Sequence, residues 1–283
     1  MHPDLQHLYD NQMARLPQPV RGYDLKFGDW RTHVVEAGDP QAPPLLAIHG
    51  MHTPAPFNLE MVWPLVERYR LISPDLPGQT GGSEGPAPTT QPGDYGGWLL
   101  ALMDRLSLER CPMVGISFGG AVLLDTAALA PQRVAASALI VPAGLDISLW
   151  RPLRAVALNW LRHRVQNNHN SFRRMMAELM AEPWPALEQF YRQVLLHAES
   201  PVLLPPGPLN PDQLADWSAP VQLVICSQDI YFEPQRLRQQ ARLLLPGLQQ
   251  VVELDDTHIP GLYHRLLIQQ QVKAFLERYD EPG

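Results

Sequence analysis

The sequence predicts an α/β fold: a mostly parallel, eight-stranded sheet with helices on both faces and one inserted helical segment. Three observations carry this. Short apolar runs alternate with amphipathic stretches along most of the 283 residues. The later runs are apolar at nearly every position, as strands covered on both faces must be. Between residues 141 and 221 the alternation stops and only helical periodicity is left.

In chain order, runs at 20–27 and 32–37 flank Gly28-Asp29 and read as an antiparallel hairpin. Strands follow at 45–49, 70–73, 111–116, 138–141, 221–226 and 250–254. Amphipathic stretches at 59–68, 95–106, 118–130, 235–245 and 262–278 supply the helices, the third of them stopped by Pro131. Within the interruption, helices are predicted at 150–164, 171–181 and 185–197, before a Pro-rich return at 201–208. The domains are therefore read as a core of residues 1–145 and 211–283, with a helical cap at 146–210 over the active site.

Composition narrows the class. With 45% hydrophobic residues the chain can build a core without staples. The 30 prolines divide 23 to 7 between core and cap, nearly equal densities, so they punctuate ordered turns and only 201–208 reads as a linker. A net charge of −7 suits a phosphate backbone poorly, so no nucleic acid is expected. Two cysteines, Cys111 and Cys226, make no disulfide framework and lack metal-site spacing. No metal and no cofactor is expected. The opening MHPDLQHLYD lacks the basic and apolar regions of a signal peptide, and no apolar run reaches the roughly 18 residues of a membrane span. A cytoplasmic protein without a membrane span is the expectation; a homo-oligomer stays open.

The strongest chemical signal is Gly115-Ile116-Ser117-Phe118-Gly119-Gly120, between an apolar strand and an apolar helix. A serine at such a turn is held strained with its hydroxyl exposed, and glycines are needed where side chains would collide across the turn. Gly81-Gly82-Ser83-Glu84-Gly85 matches the same pattern but has no strand before it and no helix after it, so context selects Ser117. A serine hydroxyl is a weak nucleophile that needs a base, itself oriented by an acid. His258, just past the last strand, fits the base. Asp229, past the strand at 221–226, fits the acid, with Asp146 as runner-up; Asp255 and Asp256 read as local turn caps. His49 and Gly50 end the strand at 45–49, and the next loop is where one oxyanion donor is expected. The backbone N–H groups of Met51 and Phe118 are the predicted pair.

These residues resemble the α/β-hydrolase superfamily over nearly the whole chain. HGM at 49–51, DLPG at 75–78, GISFGG at 115–120, QD at 228–229 and TH at 257–258 fall at its landmarks. LYDNQMARLP, DYGGWLLALMDRLSLERCPMVGISFGG and VPAG are similar to a bacterial carboxylesterase branch. One departure is visible: the loop that commonly reads G-H-G-x-S is Gly78-Gln79-Thr80-Gly81-Gly82-Ser83, expected to alter the entrance without touching the catalytic residues. Serine at 117 disfavours the relatives with an aspartate nucleophile, the haloalkane dehalogenases and epoxide hydrolases. The resemblance implies an α/β-hydrolase fold and covalent serine catalysis on a small ester. Two alternatives stand beside it: C–C bond hydrolysis of a ketone substrate, as in meta-cleavage-product hydrolases, and a receptor that kept the fold and lost turnover.

The cap carries seven arginines against five acids, and six of the arginines lie in 151–174, which has no acid at all. They read first as a solvated helix face and second as a site for an anionic substrate group. Trp150, Trp160, Phe172, Met175, Met176 and Met180 recur at near-helical spacing and read as packing or pocket wall.

Overall fold

A computed structural model describes residues 1–146, 169–197 and 209–279. The strands are β1 (Arg21–Phe27), β2 (Trp30–Ala37), β3 (Pro44–Ile48), β4 (Arg70–Pro74), β5 (Cys111–Ile116), β6 (Val134–Ile140), β7 (Val221–Cys226) and β8 (Leu248–Leu254). They form one sheet in the order β1-β2-β4-β3-β5-β6-β7-β8. β2 pairs antiparallel with both β1 and β4, and every pairing from β4 to β8 is parallel. The hairpin turns at Gly28, whose φ of 53° is the left-handed conformation a tight turn asks of glycine. The predicted sheet is present, with β6 beginning four residues earlier than its apolar run suggested.

The helices are α1 (Pro3–Arg15), α2 (Ala55–Val62), α3 (Asp94–Arg105), α4 (Phe118–Leu129), α5 (His169–Ala177), α6 (Pro185–His197), α7 (Pro211–Leu214), α8 (Pro234–Leu244) and α9 (Leu262–Arg278). Two corrections follow. The helix expected at 59–68 begins at Ala55 behind Pro54, and past Val62 the chain tightens into a 3-10 segment over Trp63–Glu67, with Pro64 in its first turn. And α1 was not foreseen. Its low mean hydropathy hides a stripe of Leu5, Tyr9 and Gln12, all buried, with Pro3 in its first turn. The helix expected at 150–164 and the return at 201–208 lie outside the described residues.

The strand alternation divides the interior into two cores. Leu45 and Ala47 of β3, with Val224 and Cys226 of β7, pack with α1, α2 and α9 on one face. Leu46 and Ile48, with Leu223 and Ile225, pack with α3, α4 and α8 on the other. Parallel strands end together, so the loops after β3, β5, β7 and β8 meet along one edge of the sheet. α5, α6 and the stretch between them join the first core through Phe172, Met175, Met176, Met180, Trp184 and Phe190. The Phe57 ring of α2 meets Phe190 at 5.1 Å and Trp184 at 6.1 Å. Each such buried ring contributes about 1.5–3 kcal/mol, so this segment is seated by packing. α1 lies against both α2 and α6. Among the described residues, no helix is long and apolar enough to cross a membrane.

Candidate active site

Ser117 stands between β5 and α4 with φ 49° and ψ −113°, a strained conformation for a residue with a side chain. Hydrogen bonds hold the strain. The Ser117 N–H donates to the Ile140 carbonyl at 2.9 Å, and its own carbonyl accepts from Gly120 N–H at 2.9 Å and Ala143 N–H at 3.0 Å. The flanking glycines are required by distance. A Cβ on Gly119 would lie 2.1 Å from the Ile48 carbonyl oxygen, and one on Gly115 2.7 Å from the Gly119 carbonyl oxygen. The turn can form only where α4 passes this close to the ends of β3 and β5.

His258 and Asp229 come to this serine from 141 and 112 residues away. His258 Nε2 is 2.9 Å from Ser117 Oγ, and its Nδ1 is 2.7 Å from Asp229 Oδ2. The other carboxylate oxygen accepts from Tyr231 N–H at 2.7 Å and Phe232 N–H at 3.2 Å, an Asx turn that fixes which oxygen faces the imidazole. Asp229 and His258 are both buried, and the Tyr231 ring stands edge-on to the imidazole at 4.8 Å. Asp146, the alternative acid, is occupied elsewhere: its Oδ1 accepts from Arg236 at 2.8 Å. Asp255 accepts from Ser227 and Gln228. Asp256 accepts from Thr257 N–H, Gly261 N–H and His264, closing the turn that carries His258. Burial opposes its ionisation, yet these bonds hold the Asp256 carboxyl below the usual carboxylate range.

The loop after β3 lies against the serine, since a Cβ on Gly50 would sit 3.5 Å from Ser117 Cβ. His49 is fully buried. Its Nε2 accepts from Leu76 N–H at 2.8 Å, so its Nδ1 carries the proton and donates to the Gly50 carbonyl at 2.7 Å. Burial pushes its pKa down, keeping it neutral. Thr53 N–H donates to the same Gly50 carbonyl at 3.1 Å. In a trans peptide the next N–H, that of Met51, points opposite to that carbonyl. Among the described residues Met51 N–H makes no hydrogen bond, and Phe118 N–H, first in α4, has no helical carbonyl below it.

Sequence reasoning missed several neighbours of these groups. His52, buried with φ 50°, follows Met51; its N–H donates to Gln79 Oε1 at 3.1 Å and its Nδ1 accepts from the Thr80 hydroxyl at 3.0 Å. The unusual Gln79-Thr80 loop thus leaves Ser117, Asp229 and His258 alone but grips the residue beside Met51, closer to the site than expected. Tyr191 of α6 reaches Met51 and Thr53, and nothing in a linear reading pairs residues 140 apart. Tyr231 was findable, because an aspartate two residues before it signals the Asx turn. Ser83, in the second serine motif, donates to the Asp75 carbonyl and accepts from His33 N–H, stapling the loop to β2. Of the arginines in 151–174, Arg173 and Arg174 are exposed and the other four lie outside the described residues.

The sequence profile of the Alpha/beta hydrolase family matches residues 45–277. An uncharacterized carboxylesterase, nap, of Bacillus subtilis strain 168 is 22% identical over 277 residues, 94% of this chain and 90% of that one. The 2-hydroxymuconate semialdehyde hydrolase of Pseudomonas sp. strain CF600 is 33% identical over 144 residues, 49% of each chain. In three dimensions, the naproxen esterase of B. subtilis superposes with a TM-score of 0.84 at 19% identity, covering 98% of this chain and 99% of that one. The family profile spans the parallel part of the sheet, from β3 to β8, and every element that carries the serine, aspartate and histidine, and the chain belongs to the alpha/beta hydrolase family.

Proposed function

We propose that this protein hydrolyses small carboxylic esters through an acyl-enzyme on Ser117. The single observation that carries the reading is the continuous contact Ser117 Oγ–His258–Asp229, at 2.9 and 2.7 Å, with the serine on a strained turn at a helix N-terminus. In the first half-reaction, Ser117 Oγ attacks the ester carbonyl while His258 Nε2 takes its proton. Asp229, accepting from Nδ1–H, holds the tautomer and stabilises the imidazolium. The carbonyl oxygen, negative in the tetrahedral intermediate, is received by the N–H groups of Met51 and Phe118. His258 then gives its proton to the departing alkoxide. A water molecule, activated by the same histidine, releases the carboxylic acid and restores the serine.

Residues 146–210 act in this reading as a cap. The buried Phe172, Met175, Met176, Met180 and Trp184 support it: they seat an apolar segment that bonds Thr257 and Ile259 on either side of His258, and apolar surface beside a few polar groups suits a small organic ester. The test is turnover of 4-nitrophenyl acetate by wild type and Ser117→Ala. A loss of about 10⁴-fold or more is expected, and equal rates overturn the mechanism.

A second reading uses the same residues to cleave a carbon–carbon bond next to a ketone. The 33% identity over 144 residues with the 2-hydroxymuconate semialdehyde hydrolase favours it. The exposure of Arg173 and Arg174 counts against it, because those two cations face solvent where a carboxylate-bearing substrate would need them inside. Turnover of a vinylogous 1,5-diketone acid without turnover of aryl esters would replace the first reading by the second.

A further inference from the structure

The two proposed oxyanion donors are held in different ways. Phe118 is rigid by position: it opens α4, directly after a serine tied through both backbone groups to Ile140 and Ala143. Met51 lies in a loop outside any helix or strand. Its preceding peptide is fixed by His49 and Thr53 N–H, as described above, and its following peptide is fixed from outside the sheet. The Met51 carbonyl accepts from the Tyr191 hydroxyl at 3.1 Å and from the Thr53 hydroxyl at 3.1 Å, and these two hydroxyls are 2.8 Å apart. Two protons serve these three contacts: either both hydroxyls donate to the carbonyl, or one donates to the other, which in turn donates to the carbonyl, and in both arrangements Met51 is held.

Burial pushes the Tyr191 pKa up, against the opposing bond from Thr53, so the phenol stays a neutral donor. Its position comes from α6, whose Leu187, Phe190 and Val194 are buried. The ring is therefore placed by its neighbours' packing, and the hydroxyl is free to serve Met51.

We propose that Tyr191 is a positioning residue for the Met51 oxyanion donor, so that the inserted segment, and not the sheet alone, sets how well the tetrahedral intermediate is stabilised. This rests on the serine-hydrolase reading above. Holding both peptides of Met51 fixes its N–H direction, and such alignment matters only when negative charge develops on the substrate oxygen.

The experiment measures kcat and KM on 4-nitrophenyl acetate, the inhibition constant of phenylboronic acid and the melting temperature. The proteins are wild type, Tyr191→Phe, Thr53→Val, Thr53→Ser, the double Tyr191→Phe/Thr53→Val, and Ser117→Ala. Tyr191→Phe is expected to lose about tenfold in kcat, with KM within about twofold and the melting temperature kept, and the boronic acid, a tetrahedral serine adduct, to weaken in parallel. Thr53→Val is expected to behave likewise and Thr53→Ser to keep activity. The double variant should lose less than the product of the singles, because both hydroxyls act through one carbonyl. Should Tyr191→Phe lose its fold, the Val and Ser variants at Thr53 and the boronic acid decide alone. Wild-type kcat and boronate affinity in Tyr191→Phe, or a change confined to KM, overturns the proposal while a dead Ser117→Ala leaves the serine reading standing. A Ser117→Ala protein as active as wild type overturns both.

Discussion

The serine turn and the inserted segment approach the same site with opposite kinds of support. Around Ser117 the constraints are backbone against backbone: Gly119 lets α4 meet the Ile48 carbonyl, and Gly115 lets β5 pass Gly119. Nothing there can give way by turning a side chain. The inserted segment instead reaches the loops of the site through a few separate hydrogen bonds, of which only one is backbone to backbone. Leu179 accepts from Ile259 N–H at 2.8 Å, Ala181 N–H donates to Thr257 Oγ1 at 3.2 Å, and Tyr191 reaches Met51. The first region is built to be present or absent; in the proposal above, the second grades what the first does. That difference predicts a ranking of substitutions, from loss of chemistry to small losses of stability.

The largest effect tests the chemical end of the comparison. Asp229→Asn presents the wrong group to His258 Nδ1 while keeping the shape, and kcat on an aryl ester should fall by about 10³–10⁴-fold. Asp146→Asn, the runner-up acid, is bonded to a half-exposed Arg236 and should keep kcat within about twofold. If the two variants exchange these outcomes, the assignment of the acid is reversed.

Next comes the steric end. Gly119→Ala puts a methyl 2.1 Å from the Ile48 oxygen, so α4 or β3 must move; the turn should lose about 3 kcal/mol or more, read as a fall in the urea midpoint. Gly97→Ala, in α3 with nothing within 4 Å of the new Cβ, should instead gain about 0.5–1 kcal/mol. Equal shifts for the two would show that the serine turn relaxes more freely than its contacts imply.

How much of this could be read in the sequence follows the same division. Gly115, Ser117 and Gly119 lie within five residues, and backbone collisions across so short a turn are visible as a spacing. His49-Gly50, Asp229 and His258 were legible because each ends an apolar run, and parallel strands bring such ends together. Tyr191 was illegible: an amphipathic helix tells which face is buried, not which carbonyl a tyrosine on it will meet. α1 was missed for another reason. Its buried stripe at Leu5, Tyr9 and Gln12 includes a glutamine, and Tyr9 is buried with its hydroxyl on Asp75 at 3.0 Å, so the helix is docked by polar bonds that hydropathy does not register.

His52 stands between the two regions, beside Met51 and against the Gln79-Thr80 loop. Burial, reinforced by neighbouring His49, pushes its pKa down from 6.5 to about 4. Below pH 6.5 the unfolded chain takes a proton there that the native state refuses until about pH 4. This contribution is therefore complete above pH 6.5 and lost as pH falls through that window, on the order of 3 kcal/mol. Urea midpoints at pH 7, 5.5 and 4.5 should fall more steeply for wild type than for His52→Asn. Parallel curves would mean that His52 titrates alike in both states.

The smallest effect belongs to the inserted segment's own seat. Arg265 of α9 lies 3.9 Å over the Trp184 ring, and burial lowers its pKa against the pull of Glu60, Glu182 and Asp256. A guanidinium over an indole contributes about 1 kcal/mol where partly desolvated. A double-mutant cycle of Arg265→Met and Trp184→Leu isolates that pair from the losses each change brings alone, and a coupling of about 1 kcal/mol is expected in the urea midpoints. Turnover in Arg265→Met should stay within about twofold of wild type, because the contact seats the segment without reaching Met51. A coupling near zero would assign the seat to Phe57, Phe190 and the other buried apolar groups. A large fall in kcat at unchanged stability would show that the position of the segment over the sheet is transmitted to the serine from Trp184 as well as from Tyr191, and the graded region would then be the whole segment rather than one tyrosine.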